Sequence, residues 1–183
     1  HEVDGRLAIE RLDTPAAKPR PTAEELDVNL QQIAKWTEQT VKASAAFARS
    51  IRVNEGVNKI AYKDVASYSG ITTQQYAYGA FDLKPDEALL VEVKLPKTCR
   101  YWSIHLIDDL AYIIDWMNRQ TNLNGFTGKV DKDGIFRMVI SAHDPGVPNW
   151  LDNAGYPAGA MQIRWERCKT YPTQHVSRVV KVD

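Results

Sequence analysis

The sequence predicts a mainly β fold, namely an antiparallel, jelly-roll-like β-sandwich with an N-terminal amphipathic helix packed on it. Beyond Gly56, apolar and polar residues alternate almost to the end of the chain, which is the period of β-strands. Ahead of Gly56, apolar residues recur every three or four positions, as they do on one face of a helix. Few helical segments separate the strands, so antiparallel sheets are favoured over a parallel sheet.

The alternating region divides into at least six strands. Residues 89–95 place apolar side chains on one face, and residues 102–106 repeat this pattern. Tyr101, Ser103 and His105 then share the face opposite the second apolar set. Turn-rich loops bound the other predicted strands, which are 76–83, 135–142, 160–167 and 176–182.

A helix is predicted over residues 23–51. Thr22 and Glu25 have the spacing of a capping box, in which each side chain accepts a hydrogen bond from the other residue's backbone N–H. Leu30, Ile33 and Val41 belong to an apolar arc along this helix. We expect the arc to pack against protein rather than water.

Residues 1–21 are predicted to lie outside the domain, which spans 22–183. Residues 2–12 have a short strand-like pattern, and the proline-rich run 14–21 is typical of an extended linker. The chain begins with His1 rather than Met. We therefore expect 1–21 to be the remnant of a longer chain, whose missing N-terminal part is a partner of the domain.

Composition excludes several classes of function. Lys plus Arg and Asp plus Glu are equal at 23 each, so no net positive charge attracts nucleic acid. The longest apolar runs are far shorter than the ~20 residues that a membrane span requires. The Walker, Gly-x-Gly-x-x-Gly and Gly-x-Ser-x-Gly motifs are missing, and the sequence indicates no cofactor.

The cysteines are Cys99 and Cys168. Both lie in strand-like stretches and they form no Cys-x-x-Cys pair, so we interpret them as small hydrophobic residues rather than as a disulfide. The compartment is left open, with the cytoplasm slightly preferred.

The first candidate site is the polar segment 108–124, which lies between two predicted strands. Arg119 is a forked donor suited to a carboxylate, and Asn118 and Asn124 are predicted to line the same concavity. Alternatively, the polar side chains satisfy their own turns, and Arg119 bridges Asp115 or Asp152.

The second candidate site is the loop 144–155, which two prolines stiffen. Trp150 is either its anchor in the core or a platform for a ligand. Asp152 is either a general acid, a base or a metal ligand, or it is a cap for backbone amides.

The histidines form the third candidate site. His105 or His143 could meet Asp108 or Asp144, but no His-x-His or His-x-x-x-His pair occurs, so no metal site is predicted. The run 131–134 resembles the start of a calcium loop without the distal Glu. We interpret it as a hairpin turn.

Several segments together carry a resemblance to a known family. They are Pro-Asp-Glu-Ala-Leu at 85–89, Tyr-Trp-Ser-Ile-His-Leu at 101–106, Asn-Arg-Gln-Thr-Asn-Leu-Asn at 118–124, Asp-Gly at 133–134 and the loop 144–155. They resemble a bacterial family, the domain of unknown function numbered 1214, which often forms the C-terminal half of longer proteins. The resemblance covers about 76–164 and implies a jelly-roll-like β-sandwich, but it implies no catalytic residues.

Three hypotheses for function follow. In the first, the domain binds a small polar or sugar-like ligand through a polar sheet face and its neighbouring loops. In the second, it is a hydrolase or lyase with His105 as base and Asp108, Asp144 or Asp152 as its partner. In the third, it is a structural or homo-oligomerisation domain. The ligand-binding hypothesis uses Tyr101, Ser103, His105, Arg119, Asn118, Asn124 and Trp150.

Overall fold

The structure is a computed structural model that describes residues 5–10, 12–13, 20–64 and 66–182, with the backbone alone at 68 and 69. Two compact units divide the chain, His1–Gln39 and Thr40–Asp183. Helix α1 (Ala23–Glu55) begins in the first unit and ends in the second.

The N-terminus of α1 confirms the predicted capping box. The Thr22 N–H donates to Glu25 Oε2 at 2.8 Å, and the Glu25 N–H donates to Thr22 Oγ1 at 3.1 Å. The helix continues one turn beyond its predicted end and stops before Gly56, whose φ of 82° suits a left-handed helix terminus.

The N-terminal segment differs from its prediction. Residues 5–10 form neither strand nor helix, and the side chains of Leu7 and Ile9 are almost fully exposed. The strand-like pattern has no partner strand in the described part of the chain. Most of the predicted linker, residues 14–19, lies outside the described residues.

The expected packing of α1 is wrong for most of its apolar arc. Leu30, Ile33 and Val41 are 57%, 59% and 45% exposed, whereas Ala48 and Ile51 near the helix end are buried. An apolar arc shows that a helix is amphipathic, but it does not show which part of that arc has a surface to pack on.

We therefore expect the double change Leu30→Ala and Ile33→Ala to alter the free energy of unfolding by less than about 1 kcal/mol, as for surface substitutions. The matched control is Leu89→Ala in the core, where Leu89 is fully buried, with an expected loss of about 2–5 kcal/mol. Urea denaturation followed by dichroism measures both. A loss from the helix variant equal to that of Leu89→Ala would show that the arc is buried in solution.

The predicted mainly β fold is confirmed, since the strands in the described residues form two sheets. The first sheet has the order β1-β2-β8-β4-β5, and the second has the order β7-β6-β3-β9. All pairs are antiparallel except β6 with β7. After α1, the elements are β1 (Lys59–Lys63), α2 (Ala66–Ser69), β2 (Gln74–Asp82), β3 (Glu87–Lys94), β4 (Cys99–Ile107), β5 (Asn122–Asn124), β6 (Ile135–Ser141), β7 (Trp150–Asp152), β8 (Ala158–Cys168) and β9 (His175–Lys181).

The two sheets share one core and form a β-sandwich. From the first sheet, Ile104 and Trp165 point inward and are fully buried. Leu89 and Phe136 of the second sheet belong to the same cluster. Alternation along each strand therefore sends the neighbours of the inward side chains to the outer face of each sheet.

The second half of α1 lies on the outer face of the first sheet. Ile51 is buried in a cluster with Ala80, Ile107 and Ala160. Phe47 contacts Tyr78 edge to face, with ring centroids 5.4 Å apart. This half of the helix thus covers one end of that face.

The interpretation of the cysteines is wrong, because Cys99 and Cys168 form a disulfide. They are direct cross-strand partners in β4 and β8, and their Cα atoms are 3.9 Å apart. Disulfides persist mainly in oxidising compartments, so the slight preference for the cytoplasm loses its support.

Candidate functional site

The candidate site is the outer face of the five-stranded sheet, where polar side chains form a row across four strands. Tyr76, Arg164, Ser103 and Asn124 are successive register partners in β2, β8, β4 and β5. Paired residues in adjacent strands point to the same face. The strands therefore bring a phenol, a guanidinium, a hydroxyl and an amide side by side.

A second polar row lies next to the first. It contains Tyr78, Gln162, His105 and Asn122 in the same four strands. On the other side of Arg164, Glu166 pairs with Tyr101. The face thus carries both hydrogen-bond donors and acceptors over several strands.

Arg164 is the central group of this face. Its guanidinium carbon lies 5.1 Å from the centroid of the Tyr76 ring, in the range of a cation–π contact. Its Nε is buried and has no hydrogen-bond partner among the described residues. A buried polar atom of a charged group is almost always hydrogen-bonded, so this Nε lacks the partner that such an atom normally has.

Tyr76 and Tyr78 form a stacked pair of aromatic rings beside Arg164. Their rings are nearly parallel, with centroids 5.8 Å apart and planes 6° from each other. The Tyr76 hydroxyl donates to Gln74 Oε1 at 2.9 Å. This hydrogen bond fixes the ring on which the guanidinium rests.

His105 is a neutral polar group on the same face. Burial, and secondarily the positive charge of Arg164, lowers the pKa of His105 below its ordinary value. Its Nε2 lies 3.3 Å from Ser103 Oγ. At neutral pH the imidazole therefore has one donor and one acceptor nitrogen.

The structure places four of the sequence-predicted residues on this face: Tyr101, Ser103, His105 and Asn124. The side chain of Tyr101 is exposed. Asn124 Oδ1 accepts hydrogen bonds from the backbone N–H groups of Phe126 and Thr127, at 2.8 and 3.2 Å. Asn124 thereby shapes the turn after β5.

Arg119 and Asn118 bind carboxylates of nearby segments. Arg119 Nη1 lies 2.9 Å from Asp152 Oδ2, and its Nε lies 3.9 Å from Asp115 Oδ2. Asn118 donates to Asp115 Oδ1 at 2.8 Å. The Arg119 side chain is 47% exposed and that of Asp152 is 9% exposed. The ion pair joins the loop before β5 to β7, as in the structural alternative for Arg119.

The other loop candidates are also engaged in backbone contacts. Asp152 Oδ1 accepts from the Ala154 N–H at 2.7 Å, and Asp108 Oδ1 accepts from the N–H groups of Leu110 and Tyr112. Trp150 Nε1 donates to the Ser141 carbonyl at 3.2 Å. These contacts explain why the loops hold a defined shape.

Arg164, Tyr76 and Gln162 are not among the site residues predicted from the sequence. They lie in segments that are predicted as strands. The alternation within 160–167 puts Arg164 on one face of its strand and Ile163 and Trp165 on the other face. The missing information was the pairing of β8 between β2 and β4. Only this pairing puts Arg164 next to Ser103 and Tyr76.

The run 131–134 forms the predicted turn, in which the Gly134 N–H donates to the Asp131 carbonyl at 2.9 Å. Asp131 and Asp133 both pair with Arg137. Across the described part of the chain, no group of three His, Cys, Asp or Glu side chains has an arrangement suited to a metal ion. Within those same residues, no helix combines the length and apolarity needed to cross a membrane.

Comparison with known proteins finds likeness in structure. No family model matches the chain, and no curated protein matches it. An uncharacterized protein from Burkholderia cenocepacia is similar, with a TM-score of 0.83 and 29% identity over 94% of this chain and 48% of that protein. A protein from Vibrio parahaemolyticus has a TM-score of 0.46 and 21% identity over 90% of this chain and 47% of its own. The chain spans about half the length of each.

Proposed function

We propose that this domain binds a small, sugar-like ligand bearing a carboxylate, on the outer face of the five-stranded sheet. The observation that carries the proposal is the buried, unpartnered Nε of Arg164, which lies among polar side chains of four strands. A carboxylate is the group that best matches the two parallel N–H donors of a guanidinium.

The energetic reason lies in the cost of leaving Arg164 without a partner. A buried polar group that has lost water and gained no hydrogen bond costs about 1–3 kcal/mol, and more if it is charged. A bound carboxylate removes this cost and adds a charge-assisted hydrogen bond. The cation–π contact with Tyr76 keeps the guanidinium in place before the ligand arrives.

The neighbouring groups favour a hydroxylated ligand. Ser103, His105 and Gln162 lie in adjacent positions on β4 and β8, and each has donor and acceptor capacity at neutral pH. Tyr101 adds an exposed aromatic ring on the same face. A few polar groups beside aromatic surface are typical of small-molecule sites.

Catalysis by a His–Asp pair receives less support. Among the described contacts of His105, the hydrogen-bond partner is Ser103, whereas Asp108 and Asp152 bind backbone amides and Arg119. A general base requires an orienting partner within hydrogen-bond reach. The hydrolase or lyase hypothesis therefore stays secondary to ligand binding.

We also propose that the sandwich is of the jelly-roll type and that the chain belongs to the family of the domain of unknown function numbered 1214. The support for the fold type is a pair of mainly antiparallel sheets around one core, with neighbours distant in sequence such as β2 and β8. The support for the family is the set of matching segments within 76–164.

The ligand proposal predicts that D-glucuronate binds and that Arg164→Gln weakens its binding about tenfold or more, since a hydrogen bond to a charged group contributes about 1.5–3 kcal/mol. Isothermal titration calorimetry measures the affinity, with D-glucose as the uncharged comparison. The matched control is Arg119→Gln, which removes a guanidinium that pairs with Asp152.

The two arginine variants separate a binding role from a structural one. We expect Arg119→Gln to leave the Kd unchanged and to lower the free energy of unfolding by up to about 1 kcal/mol. Arg164→Gln should leave the melting temperature unchanged or higher, because the unpartnered Nε is removed. Equal affinity of wild type and Arg164→Gln for D-glucuronate would contradict the proposal.

A further inference from the structure

A concavity lies at one end of the sandwich, on residues that the outer-face site does not use. Its volume is about 750 Å³, which is within the range of small-molecule sites. The loop 95–98 between β3 and β4 forms one wall, and the loop 169–174 between β8 and β9 forms the other. Glu92, Lys94, Ile135 and Val176 complete the lining.

Three ammonium groups give this concavity a positive charge. Lys94, Lys97 and Lys169 line it, and within the described residues none of the three forms an ion pair with a carboxylate. The acidic residue of the lining, Glu92, is already paired with Arg137, whose Nε lies 3.2 Å from Glu92 Oε2. Several like charges around one concavity attract a ligand of opposite charge.

Apolar groups supply the rest of the lining. Leu95 and Pro96 come from the first loop, and Tyr171 and Pro172 come from the second. Apolar surface next to positive charges suits a molecule with one hydrophobic part and one anionic part. A small inorganic anion would use the charges and leave the apolar surface in contact with water.

Covalent and hydrogen-bonded links hold the two walls in place. The Cys99–Cys168 disulfide joins the strands at the base of the loops. The Lys169 N–H donates to the Thr98 carbonyl at 3.0 Å, and the Tyr171 hydroxyl donates to the Thr73 carbonyl at 3.2 Å. A concavity with walls fixed before binding loses little conformational freedom when a ligand enters.

We propose that this concavity binds an amphiphilic organic anion, meaning an aromatic or aliphatic body that carries a phosphate, sulfonate or carboxylate. The proposal does not depend on the outer-face site, because the two sites share no residue. Lys94, Lys97 and Lys169 hold the anionic group, and Leu95, Tyr171 and Val176 cover the apolar body.

The test uses the full chain and anilinonaphthalene sulfonate, an aromatic sulfonate whose fluorescence rises in apolar surroundings. The charge variant changes Lys94, Lys97 and Lys169 together to Gln. The control variant changes Lys59, Lys129 and Lys132 to Gln, which removes the same charge from exposed positions outside the concavity. We expect the charge variant to weaken the probe's affinity about tenfold or more, and the control variant to leave it within about twofold.

Competition then tests the amphiphilic character of the ligand. Phenyl phosphate should displace the probe from the wild type, and the same concentration of inorganic phosphate should not. The second variant is Lys97→Glu, a single change at an exposed position. We expect it to weaken probe binding as well, which tests the role of the charge without a triple substitution. Equal probe affinity of the charge and control variants, or equal displacement by the two phosphates, would overturn the proposal.

Discussion

Removing the disulfide by changing Cys99 and Cys168 together to alanine is expected to lower the free energy of unfolding by about 3–4 kcal/mol. The two cysteines are 69 residues apart in sequence, so the cross-link closes a long loop in the unfolded chain. In the chain-entropy account, restricting a loop of this length in the unfolded state stabilises the folded state by roughly 4 kcal/mol. Both side chains also pack against the core, which makes alanine a suitable replacement.

Guanidinium denaturation of the oxidised wild type and of the double variant measures this difference. A thiol reductant should move the wild-type midpoint toward that of the variant, and it should not move the midpoint of the variant itself. If oxidised wild type and variant unfold at the same denaturant concentration, the cross-link does not stabilise the domain by restricting the unfolded chain.

Mild acid is expected to destabilise the domain through His175. Its ring stacks on Trp165 with centroids 5.5 Å apart, and both of its nitrogens are buried without a hydrogen-bond partner among the described residues. Burial lowers the pKa of His175 to about 4, against 6.5 in the unfolded chain. Below pH 6.5 the unfolded chain takes up the proton first, so stability is fully present above pH 6.5 and is lost as the pH falls toward 4.

The expected loss from this one residue between pH 8 and pH 5 is about 1–2 kcal/mol, allowing for partial exposure of the ring to solvent. His175→Phe keeps an aromatic ring over Trp165 and removes both unpartnered nitrogens. The wild type should therefore lose more unfolding free energy than the variant as the pH falls from 8 to 5.

Urea melts of both proteins at the two pH values give this difference directly, because the titration of His105 and the other histidines is common to both. A constant difference between pH 8 and pH 5 would mean that His175 titrates normally in the folded domain.

Local patterns in the sequence were sufficient for the parts of the fold that depend on neighbouring residues. The capping box at Thr22 and Glu25 formed as predicted, since both partners lie within one turn of helix. Strand period alone placed Tyr101, Ser103 and His105 on one face. These features depend on residues less than ten positions apart.

Features that depend on pairing between distant strands could not be predicted in this way. The alternation of β4 and β8 shows which side chains share a face within each strand, but not the register between the strands. That register sets Cys99 opposite Cys168 and Ser103 opposite Arg164. For the same reason, the disulfide was missed and the centre of the candidate site was left unidentified.

The apolar arc of α1 illustrates a different limit. Its periodicity predicted the helix correctly. Burial of the arc also requires a facing surface, and in α1 the buried residues are Ala48 and Ile51, near the end that lies on the sheet. Arg119 shows the limit for loops. Its forked donor group suited either a ligand or a carboxylate of the chain, and the approach of Asp152 to within 2.9 Å comes from the way the sandwich brings two loops together.

The most direct test of the ligand proposal is the nuclear magnetic resonance signal of the Arg164 Nε–H group during titration with D-glucuronate. Comparison with the spectrum of Arg164→Gln assigns this signal in the nitrogen-labelled protein. If a carboxylate binds the buried Nε, the signal should shift progressively and saturate at the Kd found by calorimetry, whereas D-glucose should shift it little. A signal that stays in place at saturating D-glucuronate would contradict the proposal that Arg164 is the centre of the site.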